Sequence, residues 1–204
     1  DVCSSDLLIV ADMKKTSAAN SNIEFGLSST GVNYAHTYMP SVGSVWLNST
    51  SASLATPKIG QHGFLAYVHE EGHALGLDHM GDYNGNGNWT PSSYQDSTVY
   101  SVMSYFGPSW GSGTDAGAGL VAWADWVGAD SRLYAPQTPI INDIMAIQKI
   151  YGIETTTRTG DTTYGFHSNV TGSAAQIYDF SMNKNPILAL FDSSGNDTLD
   201  LSGW

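Results

Sequence analysis

Residues 69–79 read His69-Glu70-Glu71-Gly72-His73-Ala74-Leu75-Gly76-Leu77-Asp78-His79. His69 and His73 are four residues apart, so on a helix they project from one face and can bind the same metal ion. Gly76 predicts that the helix ends before His79, because glycine tolerates the left-handed conformation that turns the chain back. The spacing therefore predicts a zinc site formed by His69, His73 and His79.

The residue after the first histidine is a carboxylate. Glu70 can reach a water molecule at the zinc and act as a general base, since zinc lowers the pKa of that water to about 7. The alternative is a helix with incidental histidines. It is disfavoured because three of the six histidines and two of the four glutamates in the 204 residues fall within 69–79.

Two segments show the helical period of apolar residues. The first starts at Gln61 and carries the stripe Phe64, Leu65, Val68, Gly72 and Leu75. The second has Thr138 as its N-cap, Pro139 as its first residue and Gly152 at its end. Its stripe consists of Ile140, Ile144, Ile147 and Tyr151. We expect this second helix to pack beneath the metal site, with the polar side chain of Asp143 facing solvent. Three short apolar runs before the first helix, 8–11, 34–39 and 45–47, are typical of strands.

A second motif follows the histidines in the sequence: Ser101-Val102-Met103-Ser104-Tyr105-Phe106. Together the two motifs resemble the metzincin clan of zinc endopeptidases, in its serralysin form. The resemblance implies that Met103 forms a hydrophobic base beneath the zinc. It also implies that Tyr105 ligates the zinc in the resting enzyme and then swings to stabilise the oxyanion. A thioether suits the first role, and a phenol can donate a hydrogen bond in the second.

A third match covers the C-terminal part. The segments 158–162, 164–166 and 195–199 resemble the junction where serralysins pass into a calcium-binding β-roll. The resemblance implies a calcium ion bound by the carbonyls of Arg158, Gly160, Thr162 and Ser194 and the carboxylates of Asp192 and Asp197. Calcium accepts such an all-oxygen set. The family commonly has glycine where Ser194 stands, and the alternative is a Thr- and Asp-rich linker followed by a turn.

The resemblance also implies a strand that binds substrate. Ser44–Asn48 lies where the clan places an antiparallel edge strand above the active cleft. Val45, Trp46 and Leu47 are therefore expected to bind extended peptide backbone. The alternative is an internal strand with Trp46 in the core. Serralysins more often have serine where Asp78 stands, so this carboxylate either braces His79 or caps the turn.

Composition limits the partners. Seven basic and nineteen acidic residues give a net charge of −12, which argues against nucleic acids and anionic membrane surfaces. No apolar run is long enough to cross a bilayer, and no signal peptide opens the sequence. The single cysteine, Cys3, cannot form an internal disulfide. Residues 1–7 match the translation of a common sequencing adapter, and we interpret them as an artefact.

The sequence thus predicts an α+β fold. We expect a metzincin catalytic domain over residues 8–153, with a twisted mixed sheet, an active-site helix and a C-terminal helix. Residues 154–204 are expected to form a linker and the start of a calcium-binding parallel β-roll. The predicted function is a secreted, bacterial, monomeric endopeptidase with one zinc ion, one or more calcium ions, and proteins or peptides as substrates. The alternative is a catalytically silent zinc- and calcium-binding structural or adhesive module.

Overall fold

A three-stranded mixed sheet forms the N-terminal part of the fold. The computed structural model describes residues 16–83, 90–108 and 119–204, so the predicted strand at 8–11 and the segment 1–7 lie outside it. The strands are β1 (Glu24–Ser28), β2 (Ala35–Thr37) and β3 (Ser44–Asn48). In the order β1-β3-β2, β3 runs parallel to β1 and antiparallel to β2. The predicted mixed sheet is confirmed for these strands.

The prediction that Ser44–Asn48 is an edge strand was wrong, because β3 is the central strand. Val45 and Leu47 are 0% and 1% exposed and belong to the core, whereas Trp46 points outward and is 37% exposed. The neighbour β1 was not predicted, because Gly26 interrupts its apolar pattern. A Cβ at Gly26 would lie 2.8 Å from the Trp46 indole, so the glycine makes room for that ring.

Helix α2 lies between two apolar cores. The helices are α1 (Ala52–Ala55), α2 (His62–Ala74), α3 (Ile141–Tyr151) and α4 (Ala175–Tyr178). Short 3₁₀ turns occupy Ala18–Asn20 and Gly172–Ala174. The sheet-side core consists of Val45, Leu47, Leu54, Ala66 and Ala74. The core shared with α3 consists of Leu65, Val68, Leu75, Leu77, Val102, Met103, Ala135, Ile140, Ile144 and Ile147. Both predicted helices are confirmed, and α3 packs against α2 as expected.

Asp143 ties α3 to the predicted Met-turn segment 101–106. Its carboxylate is buried, so the prediction that it faces solvent was wrong. It accepts hydrogen bonds from Ser101 Oγ (2.5 Å), Val102 N (2.8 Å) and Ile140 N (2.8 Å). Burial raises the pKa of Asp143 to about 6, and these hydrogen bonds oppose the rise. Asp143 therefore caps α3. Thr138 does not, since its hydroxyl accepts a hydrogen bond from Ala189 N.

The C-terminal part packs against the start of α3. Two short strands, β4 (Thr163–Gly165) and β5 (Thr198–Asp200), pair in parallel. The buried Gln137 donates to Asn185 O (2.9 Å) and accepts from Asn183 Nδ2 (2.6 Å). Its backbone N–H donates to Ile187 O (2.8 Å). The segment after residue 153 is thus hydrogen-bonded to the loop that leads into α3.

We predict that Asp143→Asn lowers the free energy of unfolding by about 2–3 kcal/mol, because an amide cannot accept from all of these buried donors. Denaturant unfolding measures this difference. The matched control is Asp125→Asn, at an exposed aspartate that accepts one backbone hydrogen bond, from Val127 N. Equal stability of the two variants would contradict the role of Asp143.

Candidate metal centre

Three imidazole rings converge in the described part of the chain. His69, His73 and His79 offer ring nitrogens that all lie within 4.8 Å of one another. The Nε2 atom of His79 is 3.0 Å from that of His73 and 3.3 Å from that of His69. Nitrogens bound to one tetrahedral zinc at about 2.0–2.1 Å lie about 3.3 Å apart. The structure therefore brings the three predicted ligands together at metal-binding distances.

Backbone carbonyls fix which nitrogen of each ring faces the centre. His69 Nδ1 lies 2.8 Å from Val102 O, His73 Nδ1 2.8 Å from Leu77 O, and His79 Nδ1 2.7 Å from Tyr83 O. A carbonyl only accepts, so each Nδ1 carries the hydrogen and each neutral ring keeps its Nε2 lone pair. Three lone pairs then face each other, an arrangement that a metal cation between them would stabilise.

The electrostatics favour neutral rings. Burial, with the nearby His73 as the next largest cause, lowers the pKa of His69 to about 3. Burial is also the main cause that lowers the pKa of His73 and His79. At neutral pH the rings are therefore unprotonated at Nε2, which is the form that binds a metal ion.

The end of α2 delivers the third histidine as predicted. Gly76 has a φ of 97°. Its N–H donates to His73 O, and the N–H of Leu77 donates to Gly72 O, both at 2.9 Å. These two bonds form a Schellman motif, which ends the helix and reverses the chain. Asp78 then accepts a hydrogen bond from His79 N (3.0 Å), so its carboxylate caps this turn.

Glu70 and Tyr105 lie beside the histidines. Glu70 is 7% exposed, and its carboxylate accepts a hydrogen bond from Thr37 Oγ1 of β2 at 2.5 Å. Burial raises the pKa of Glu70, and the Thr37 hydrogen bond opposes the rise. The Tyr105 ring centroid is 4.4 Å from that of His79 and 5.6 Å from that of His69. Burial, with the Glu70 charge, raises the pKa of Tyr105 to about 12, so the phenol keeps its proton at neutral pH.

Met103 lies under the second half of α2. It is 2% exposed and packs in the core between α2 and α3. A Cβ at Gly72 would lie 2.6 Å from Met103 Sδ. Gly72 precedes His73, so the absence of a side chain there lets the thioether approach the helix one residue from that histidine. From the sequence, Gly72 is predicted only as part of the apolar stripe of the helix.

A hydrogen-bond network around Asp96 was missed from the sequence. Asp96 is fully buried and accepts from Tyr83 Oη and Ser104 Oγ, both at 2.7 Å, and from Ser92 N at 2.9 Å. The Tyr83 ring stacks on His79 with centroids 5.3 Å apart. Asp96 thus connects the residue whose carbonyl orients His79 to the segment that carries Tyr105. The Asp, Tyr and Ser positions are far apart in sequence, and no local pattern marks them.

The structure also brings together the two segments of the predicted calcium site. Asp197 Oδ1 accepts from Thr162 N at 2.9 Å, and Asp192 Oδ2 accepts from Tyr164 Oη at 2.7 Å. The hydroxyl of Ser194 donates to Thr159 O at 3.3 Å. A Cβ at Gly195 would lie 2.6 Å from Gly160 O and 2.9 Å from Asp197 Oδ1, so these two oxygens approach the Gly195 backbone too closely for a side chain. Arg158 has a φ of 52°, and its guanidinium donates to Phe191 O.

Known proteins match most of the chain. Residues 153–204 match the family model described as Peptidase M10 serralysin C terminal. Serralysin G of Dickeya chrysanthemi is 39% identical over 167 residues, which are 79% of this chain and 31% of that protein. The metallopeptidase AprA of Pseudomonas marginalis is 34% identical over an alignment of 214 residues, which covers 98% of this chain and 42% of that protein. A serralysin of Proteus mirabilis is 36% identical over an alignment of 209 residues, which covers 95% of this chain and 39% of that protein.

The relatives that match are bacterial metallopeptidases. A cluster of three converging histidines is the kind of site that such proteins need to bind a metal ion. The chain is similar to members of the serralysin family over most of its length, and the resemblance seen in its motifs is confirmed. The chain spans about a third to two fifths of the length of these relatives. Within the described residues, no helix combines the length and apolar character needed to cross a membrane.

We predict that Tyr83→Phe weakens zinc binding about tenfold, because the Tyr83–Asp96 bond holds the carbonyl that orients His79. Competition with a chromophoric chelator at fixed calcium concentration measures the dissociation constant. Tyr164→Phe is the matched control, since it removes a tyrosine–aspartate bond of the same 2.7 Å length outside the histidine site. Unchanged zinc affinity in Tyr83→Phe would show that the network does not support the metal.

Proposed function

We propose that this chain carries the catalytic site of a zinc-dependent endopeptidase. In this proposal, residues 8–153 form a metzincin catalytic domain and residues 154–204 form a linker and the start of a calcium-binding β-roll. The single observation that carries it is the convergence of three histidine ring nitrogens within 4.8 Å of one another, with Nε2 of His79 3.0 Å and 3.3 Å from those of His73 and His69, beside the buried Glu70. Similarity to the serralysin family supports the reaction class.

The chemistry divides between the metal and the side chains. When bound by His69, His73 and His79, zinc supplies Lewis acidity that polarises the scissile carbonyl and makes water a better acid. Glu70 accepts the proton of the attacking water and passes it to the leaving amine. Tyr105 donates its phenol hydrogen to the oxyanion, consistent with a pKa of about 12. In the resting enzyme Tyr105 is proposed as a further zinc ligand, with Met103 as the apolar base of the site.

The substrate strand is assigned to β2 in place of β3. Among the described residues, no strand pairs with the outer edge of β2. Tyr38 N donates to Ser44 O and Asn48 N donates to Tyr34 O, so these groups of Tyr34 and Tyr38 face β3. The two-residue alternation of a strand turns the peptide groups of Ala35 and Thr37 to the open edge. A peptide can add there as an extra strand, next to Glu70, without strong sequence selection.

A calcium site at the C-terminal junction is the second part of the proposal. The ligands are the carbonyls of Arg158, Gly160, Thr162 and Ser194 and the carboxylates of Asp192 and Asp197. The close approach of Gly160 O and Asp197 Oδ1 to Gly195 supports it, because it brings one carbonyl and one carboxylate of the proposed set near the same point. Calcium prefers such a set of carbonyl and carboxylate oxygens.

We further propose that the enzyme is extracellular, bacterial and monomeric, and that its substrates are proteins or peptides. The bacterial origin of the relatives supports the source. The net charge of −12 supports proteins over nucleic acids or anionic membranes as partners. A catalytically silent binding module is disfavoured, because Glu70 is present on the residue after His69 and its buried carboxylate is held by Thr37.

We predict that Glu70→Gln keeps stoichiometric zinc but lowers kcat for peptide hydrolysis about 10²–10⁴-fold, because the amide cannot accept the proton. His73→Ala should lose both zinc and activity. Metal analysis and a fluorogenic peptide assay measure the two properties. Glu71→Gln, the adjacent glutamate, is the matched control and should keep both. Wild-type rates in Glu70→Gln would rule out the general-base assignment.

We predict that calcium stabilises the wild-type protein, by about 2.7 kcal/mol at a concentration about 100 times the dissociation constant. Asp197→Asn should remove this gain, because it removes a charged ligand. Thermal unfolding with and without calcium measures the effect. Asp179→Asn is the control, since this aspartate bonds to Ser181 outside the proposed ligand set. Full calcium stabilisation of Asp197→Asn would contradict the assigned site.

A further inference from the structure

The strand next to the histidine site supplies a hydroxyl to the proposed general base. Thr37 is the last residue of β2, and its Oγ1 lies 2.5 Å from Glu70 Oε2 and 3.2 Å from Glu70 O. The hydroxyl has one hydrogen to donate, and both neighbours are acceptors. The shorter contact has the length of a charge-assisted bond between a hydroxyl and a carboxylate. Thr37 therefore donates mainly to the carboxylate.

This bond commits one of the two carboxylate oxygens. With Oε2 held by Thr37, Oε1 is the oxygen that is left to meet a water molecule at the histidine site. Threonine is branched at Cβ, so its hydroxyl is held in few rotamers once the strand is in place. β3 holds β2 through the pairs Ala35–Leu47, His36–Trp46 and Thr37–Val45. The orientation of the Glu70 carboxylate is thus set from the sheet.

We propose that Thr37 is a positioning residue for Glu70, which it holds with Oε1 towards the reacting water. The proposal rests on the proposed function of Glu70 as general base. Thr37 touches neither zinc nor the attacked carbonyl in this assignment, and it acts through Glu70. General bases lose efficiency when their geometry is misplaced by about 1 Å, since proton transfer needs hydrogen-bond distance.

The test compares Thr37→Val, which keeps the branched shape but loses the hydroxyl, with Thr37→Ser, which keeps the hydroxyl. Thr37→Val should lower kcat about tenfold with little change in KM, and Thr37→Ser should stay within about threefold of the wild type. Zinc affinity, measured by chelator competition, should be equal in all three proteins. A role of Thr37 in strand packing alone would instead give equal rates for valine and wild type.

Thr156→Val is the matched control. The Thr156 hydroxyl donates to Glu154 Oε1 at the same distance of 2.5 Å, on an exposed segment outside the histidine site. This variant loses the same kind of bond, and its kcat, KM and zinc affinity should equal those of the wild type.

A crystallographic readout separates this proposal from the proposed function. In Thr37→Val we expect the Glu70 carboxylate in more than one conformer, and in Thr37→Ser in the single wild-type conformer. If the wild-type protein shows no peptidase activity, the proposed function fails and the conformers of Glu70 still test Thr37. A single wild-type conformer of Glu70 in Thr37→Val, or an undiminished kcat in that variant, would overturn the proposal.

Discussion

The site depends on three hydrogen bonds between imidazole Nδ1 atoms and backbone carbonyls. Each bond fixes a tautomer and turns one Nε2 lone pair inward. The carbonyls belong to Val102 in the segment below the helix, Leu77 just after the helix end, and Tyr83 in the following loop. The orientation of the histidines therefore requires that three separate backbone segments are in place, and α2 alone does not define the site.

Two buried carboxylates hold the segment 101–106 from opposite sides. Asp143 binds Ser101 and the backbone of Val102, whereas Asp96 binds Ser104 and the hydroxyl of Tyr83. Burying a carboxylate is costly unless donors surround it, and each has several within 2.9 Å. This arrangement explains how the turn that provides the Val102 carbonyl, the Met103 thioether and the Tyr105 phenol to the site is held in place. Both aspartates hold this segment in place, and neither belongs to the histidine cluster.

Local patterns predicted what is local in the structure. The four-residue spacing of His69 and His73, and the left-handed Gly76, depend on neighbours within one helical turn. The central place of β3 could not be predicted in this way, because the alternation of Val45, Trp46 and Leu47 is the same for an edge strand and an internal strand. The burial of Asp143 was equally hidden. Its main donor, Ser101, lies 42 residues away, so no period of the sequence links them.

The start of α3 links the C-terminal part to the histidine site. Gln137 and Thr138 bond to the segment 183–189, and two to five residues further on Ile140 and Asp143 form the helix cap. Asp143 in turn binds the backbone of Val102, whose carbonyl orients His69. A continuous chain of hydrogen bonds and short backbone steps thus runs from the segment after residue 153 to the first histidine. The C-terminal part is therefore part of the scaffold of the site, since residues 137–143 are held from both ends.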